Sequence, residues 1–146
     1  MDRLIPHDDL SALAGISAEG FAPWGELVTI GPQQAERFAR VCGTATNAGD
    51  ALPGFLILSL VPRLVPAPDW SITGHSGVLN LGCPSIRFPA IARAGAALQG
   101  RRQLSAVRKH PRGTLITLEF EVREAGMEQS CMIALNELLY LSGRST

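Results

Sequence analysis

The chain has 146 residues, 46% of them hydrophobic, which is enough to bury a core without help from disulfides or metals. Thirteen Lys and Arg balance thirteen Asp and Glu, so there is no net field to draw the protein onto nucleic acid or an anionic membrane, and small molecules or proteins are the expected partners. Cys42, Cys83 and Cys131 lie far apart, with no CxxC pair and no histidine at ligand spacing, and read as reduced thiols with no metal to hold.

The opening string "MDRLIPHDDL" has neither the apolar region of a signal peptide nor an Arg-rich presequence. No stretch reaches the roughly 20 apolar residues of a membrane span, so a cytoplasmic location is expected. The segment up to about residue 24 reads as irregular, with one helical turn around Asp9 to Ala14. His7, Asp8 and Asp9 are consecutive near a terminus, a pattern that usually faces solvent.

"GELVTI" (25–30) predicts a strand. "GPQQAERFARVCG" (31–43) predicts a helix, opened by Pro32 and closed by Gly43, with Ala35, Phe38, Ala39 and Cys42 on a buried face. After a polar loop, "DALPGFLILSLVP" predicts a second helix. Asp50 is placed to cap it and Pro53 to occupy its first turn, where an N–H has no intrahelical partner. Nearly every side chain from Phe55 to Val61 is apolar, so this helix is expected to be enclosed all round, with Pro62 ending or kinking it.

Five strand-like stretches follow, 71–82, 85–95, 96–110, 113–125 and 128–142, and the turns "HPRG" and "EAGME" make the later ones antiparallel neighbours. In 113–125, Ile116, Leu118, Phe120 and Val122 alternate with Thr117, Glu119 and Glu121, the pattern of a strand with one wet face. The last stretch is apolar on both sides and belongs at the sheet centre or a subunit contact. One apolar helix and one curved sheet satisfy each other if the sheet wraps the helix, an α+β arrangement. One domain over residues 1–146 is expected, with its core over 25–142.

Four strings, in this order, carry a likeness to a known family: "ERFARVCG", "PGFLILSLVPRL", "LNLG" with "SIRFPAIARAG", and the last two long strands. The chain resembles the hot-dog fold, and within it the MaoC-like R-specific enoyl-CoA hydratases and dehydratases, including the nodulation-protein-N-like branch. The resemblance implies a dimer, or a heteromer with a related subunit, with acyl-CoA or acyl-carrier-protein thioester sites at the subunit interface. It implies no cofactor. An Asp and a His five positions later would share acid and base work on water, while a backbone N–H at the start of the central helix receives the thioester oxygen.

The sequence departs from that pattern at the dyad. Thr44 stands where the Asp belongs, Gly49 falls five positions later, the loop is shortened, and Pro53 replaces a frequent His. Gly54 matches the oxyanion glycine, and Ser59 matches a serine of the central helix. Asp50, the one carboxylate of the shortened loop, is a candidate base as well as a candidate helix cap. His75 in "ITGHSG" is the candidate for a relocated acid or base, and its other reading is a partly exposed histidine at a strand start. Thr44 and Asn47 can hold water or a hydroxyl but move no proton at neutral pH. With Ser59, Asn80 and Arg87 they make up the substrate-binding candidates, Arg87 toward a phosphate. Three activities follow as expectations: a hydratase or dehydratase with a non-standard site, a silent or binding subunit beside an active partner, and a thioesterase.

Overall fold

The protein was analysed as a computed structural model, which describes residues 1–44 and 50–143. The amino-terminal segment, expected to be irregular, carries a strand β1 (Arg3–Pro6) and a helix α1 (Leu10–Ala18). Asp9 caps α1, accepting from the Ala12 N–H at 3.0 Å. Leu13 and Ile16, one turn apart, are its buried residues and belong to the same apolar cluster as the sheet. The helix extends the single turn expected around Asp9 to Ala14, and its full length was not legible because its buried stripe is only two residues wide.

Strand β2 (Val28–Thr29) is shorter than its expected span. Helix α2 (Pro32–Cys42) has its expected bounds: Pro32 stands in the first turn, Gln34 accepts from the Gly31 N–H at 2.8 Å, and Gly43 closes the helix at φ +74. Its apolar face is covered only in part, for Ala39 is buried, Ala35 and Phe38 are half-buried, and Cys42 is exposed.

The apolar run divides into α3 (Gly54–Ser59) and α4 (Val61–Leu64), with Pro62 in the first turn of α4. Two expectations are corrected here. Pro53, extended at ψ 136, precedes the helix with no side-chain cap, while Asp50 lies exposed three residues earlier and uses its backbone carbonyl to accept from Ala94. Nor is the run enclosed all round. Leu56, Ile57 and Leu64 are buried, whereas Phe55 is 67% exposed and meets the half-open Phe88 ring edge-on.

Strands β3 (Trp70–Thr73), β4 (Gly77–Arg87), β5 (Ala97–His110), β6 (Gly113–Glu124) and β7 (Met132–Leu141) complete the chain. The stretch expected as a strand over 71–82 is divided at Gly74, whose φ of +74 turns the backbone. β3 pairs in parallel with β1 in a small second sheet. β4 continues through the next expected strand as far as Arg87, with bulges between Asn80 and Ser85. Residues 88–95 then leave the sheet and return along the loop before α3, where the Leu52 N–H donates to Ala92.

The main sheet is antiparallel, in the order β2-β5-β6-β7-β4, and strongly curled around α3 and α4. Ile116, Leu118, Phe120 and Val122 of β6 point inward and are buried, as their alternation predicts. β7 lies between β6 and β4, a central position that accounts for its two apolar faces. Gly100 of β5 lets α4 approach, since a Cβ there would meet Val65 at 2.8 Å and the Leu64 carbonyl oxygen at 3.2 Å.

The outward face is polar. Arg101 pairs with Glu121 at 2.7 Å and stacks on Phe21 and Trp24, and Arg123 also lies over the Trp24 ring, 4.0 Å from its centroid. These contacts clamp residues 21–24 onto the sheet.

Candidate functional site

A cleft of about 300 Å³ opens at the start of α3. The loop before α3 and residues 88–95 form its two walls, held together by the Leu52 to Ala92 and Ala94 to Asp50 backbone bonds at 2.8 and 2.7 Å. Gly54 lies in the wall beneath the Phe88 ring, so close that a Cβ at Gly54 would meet ring carbons at 2.7 Å. Phe55 meets Phe88 edge-on with ring centroids 6.3 Å apart. Ile91, 73% exposed, forms the outer lip.

At this helix start the Leu56 and Ile57 N–H groups both donate to the Pro53 carbonyl. The Gly54 and Phe55 N–H groups have no acceptor among the described residues, as expected of a first turn. The cleft therefore offers two free donors in an apolar setting, which suits a polarised carbonyl oxygen.

Cys131 lies at the cleft floor, 2% exposed, and its thiol donates to the Val122 carbonyl at 3.3 Å. Burial pushes its pKa up from 9.0 to about 11, so it is a neutral thiol near pH 7 and a poor nucleophile. Cys42 and Cys83 are exposed. Ellman's reagent on the native chain at pH 8 is expected to titrate these two thiols quickly and the third only after unfolding; equal rates for all three would show that the cleft floor is open. The raised pKa also links to stability. The unfolded thiol ionises first, so the contribution of Cys131 is full below pH 9 and is lost as pH rises from about 9 through about 11.

The other residues singled out from sequence are spread through the fold. Asp50 is exposed beside the cleft. Thr44 is exposed at the end of α2, where its N–H donates to the Ala39 carbonyl at 2.9 Å. Asn47 and Gly49 lie outside the described residues. Ser59, at the far end of α3, donates to the Leu56 carbonyl at 2.7 Å. The Asn80 side-chain oxygen accepts from the Gly82 N–H and from Asn136, at 3.0 and 2.9 Å, and so fastens the β4 bulge to β7. Arg87 is exposed at the end of β4, next to Phe88, with no ion pair among the described residues.

His75 stands at the opposite end of β4 from the cleft. The strand has 11 residues and two bulges, and at about 3.3 Å per residue its ends lie at most roughly 30 Å apart. The His75 ring packs edge-on against Tyr140, centroids 5.0 Å apart, with Nδ1 buried and without a partner. Of the described residues singled out, Gly54 alone lines the cleft; Asp50 and Arg87 adjoin its lining residues Ala51 and Phe88 in sequence, and His75 stands beyond the far end of β4. Sequence reasoning missed Phe88, Ile91 and Cys131 as cleft residues. The signal was present in "RFPAI", where large apolar residues flank a proline directly after a strand.

The sequence matches no family model and no curated protein. Solved structures do resemble the fold. Over 94% of this chain and 98% of the other, it is similar to a chain of the ChsH1–ChsH2 complex from Mycobacterium tuberculosis, with TM-score 0.69 and 12% identity. A MaoC-like dehydratase from Rhodospirillum rubrum gives TM-score 0.58 and 12% identity over 83% of this chain and 91% of the other. An acyl-CoA hydrolase from Staphylococcus aureus, in complex with butyryl coenzyme A, gives 0.57 and 9% over 96% and 68%. Likeness at such identities establishes the fold, and the fold is the hot-dog fold.

Proposed function

We propose that this hot-dog chain binds an acyl thioester in the cleft at the start of α3 and takes part in hydration or dehydration of the acyl group as half of a two-chain site. The observation that carries this reading is the division of labour along β4. The cleft wall holds two free backbone donors and apolar side chains, with neither imidazole nor carboxylate among its described lining residues. The thioester oxygen would take the Gly54 and Phe55 N–H groups, with the acyl chain against Phe88 and Ile91 and Arg87 at the mouth for a phosphate of the carrier.

The missing proton-transfer groups have a source across the sheet edge. β4 is an edge strand with Val78, Leu79 and Leu81 exposed at 42%, 38% and 51%. An apolar edge of this kind is suited to pairing with another strand. Antiparallel pairing with a second hot-dog chain, a second copy in the simplest case, runs the His75 end of one chain toward the Phe88 end of the other. His75 of the partner subunit is then the candidate acid or base, and Asp50 the candidate on the cleft side.

The test mixes the protein with short and medium enoyl-CoA thioesters, following enoyl absorbance and free thiol together, with mass in solution from light scattering. A dimer that hydrates without releasing thiol is expected, with turnover lost in Leu81→Lys as it becomes a monomer and in His75→Ala as it stays a dimer. Full turnover in monomeric Leu81→Lys would overturn the two-chain site. A self-dimer that binds a saturated acyl-CoA without turnover would make this chain the silent member of the pair. A second reading, thioester hydrolysis with Asp50 positioning water, is favoured by the exposed carboxylate beside the cleft. Thiol release abolished by Asp50→Asn would select it.

A further inference from the structure

A larger cavity, about 490 Å³, lies at the other end of the helical segment, between the end of α1, residues 20–24, residues 66–70 and β5. Its walls are apolar and aromatic: Ile16, Phe21, Pro66, Pro68 and both tryptophans of the chain, Trp24 and Trp70. Four polar residues line it. Glu19 and Asp69, at the rim, are both held by the Arg3 guanidinium, and Gln103 donates to Glu119.

The fourth is Arg102, which has no hydrogen-bond or ion-pair partner among the described residues. Among the described residues, its Nε is buried without an acceptor, none of its other N–H groups has a protein acceptor, and no carboxylate lies within ion-pair range. The inward Phe120 ring lies 5.5 Å from the guanidinium carbon, and Tyr140 offsets part of the cost of burying the charge. Burial lowers its pKa, the mark of a charged form losing hydration. An unpaired, half-buried guanidinium is costly, whereas its planar fork of donors fits a carboxylate with two parallel bonds. The rim carboxylates do not fill this role, because Arg3 already holds them.

We propose that this cavity is a second ligand site, distinct from the cleft at Gly54, which binds a small apolar monocarboxylate with its carboxylate on Arg102 and its apolar body against Phe21 and Trp70. The cavity lies within the usual range of small-molecule sites, roughly 300–1,000 Å³, and combines an apolar wall with one cation, Arg102, while its two rim carboxylates are paired with Arg3.

Intrinsic tryptophan fluorescence reports on the site directly, since both tryptophans line it. Octanoate titrated into the full chain is expected to give a saturable change, and octanamide, with the same chain and no charge, one weaker by about tenfold or more. Arg102→Met is expected to weaken octanoate by a similar factor and leave octanamide unchanged. Arg102→Lys, which keeps the charge and loses the fork, is expected to fall between. Equal titration by octanoate and octanamide, or no saturable change at millimolar octanoate, overturns the proposal. Should Arg102→Met fail to fold, the comparison of the two ligands on the unaltered chain and the Arg102→Lys titration decide it. None of these readings depends on thioester turnover.

Discussion

Gly113→Ala is expected to lower stability by about 3 kcal/mol, roughly 10 °C in Tm for a chain of this size. Gly113 opens β6 at φ +154, and a Cβ there would lie 1.9 Å from the Tyr140 carbonyl oxygen, 2.9 Å from its carbon and 3.0 Å from the Leu141 Cα. All three obstacles are backbone atoms of β7, so no rotamer change relieves the overlap and the β6–β7 ladder must open at that end. The same glycine pairs with His110 and completes the hairpin to β5, and the strain reaches three strands at once. Gly126→Ala is the control. Its φ is +80 with nothing within 4 Å, so it carries only the left-handed penalty, about 1–2 kcal/mol. Urea unfolding followed by tryptophan fluorescence separates the two. Equal midpoints for both variants would show that β7 yields at Tyr140 and would refute the argument.

Leu13→Ala is expected to cost about 2–5 kcal/mol, the span seen for emptied leucine sites in cores. Leu13 is fully buried in α1 and belongs to a cluster that includes Leu98 and Leu104 of β5. Alanine is at least as good a helix former as leucine, so the loss measures packing alone. Leu10→Ala, on the same helix at 36% exposure, should cost under about 1 kcal/mol. A Leu13→Ala loss as small as that of Leu10→Ala would mean that α1 rests on the core without supporting it.

Much of the architecture was legible because period and punctuation agree with the final environment. The alternation in β6, the proline and glycine that bracket α2, and the turns before β6 and β7 each act within a dozen residues, and each feature stands where it was expected. The curled sheet around an apolar helical segment followed from what remained to be buried. α1 was legible only as the turn around Asp9 to Ala14, because a two-residue buried stripe is too narrow a signal for the whole helix, and the 71–95 region was misdivided, because strand propensity does not tell which sheet a strand joins. β3 pairs with β1, at the start of the chain, and residues 88–95 pair with the loop before α3.

The candidate site shows the same limit more sharply. Gly54, Asp50 and Arg87 were legible one by one, from a free first turn, a lone carboxylate and a cation at a strand end. The cleft that Gly54 shares with Phe88, Ile91 and Cys131 was not, nor was the length of β4 that stands between that cleft and His75. Arg102 is the extreme case: Arg101 and Arg102 are adjacent identical residues, and the pleat turns one outward to Glu121 and Trp24 and the other inward, over Phe120 and without a hydrogen-bond or ion-pair partner among the described residues. Sequence alone determined the long strands β5 to β7, the apolar helical run and the free donors at its start, because these depend on neighbours along the chain. Tertiary structure alone decided which groups meet, because burial, pairing partners and unmatched charge depend on residues that the chain brings together from far apart.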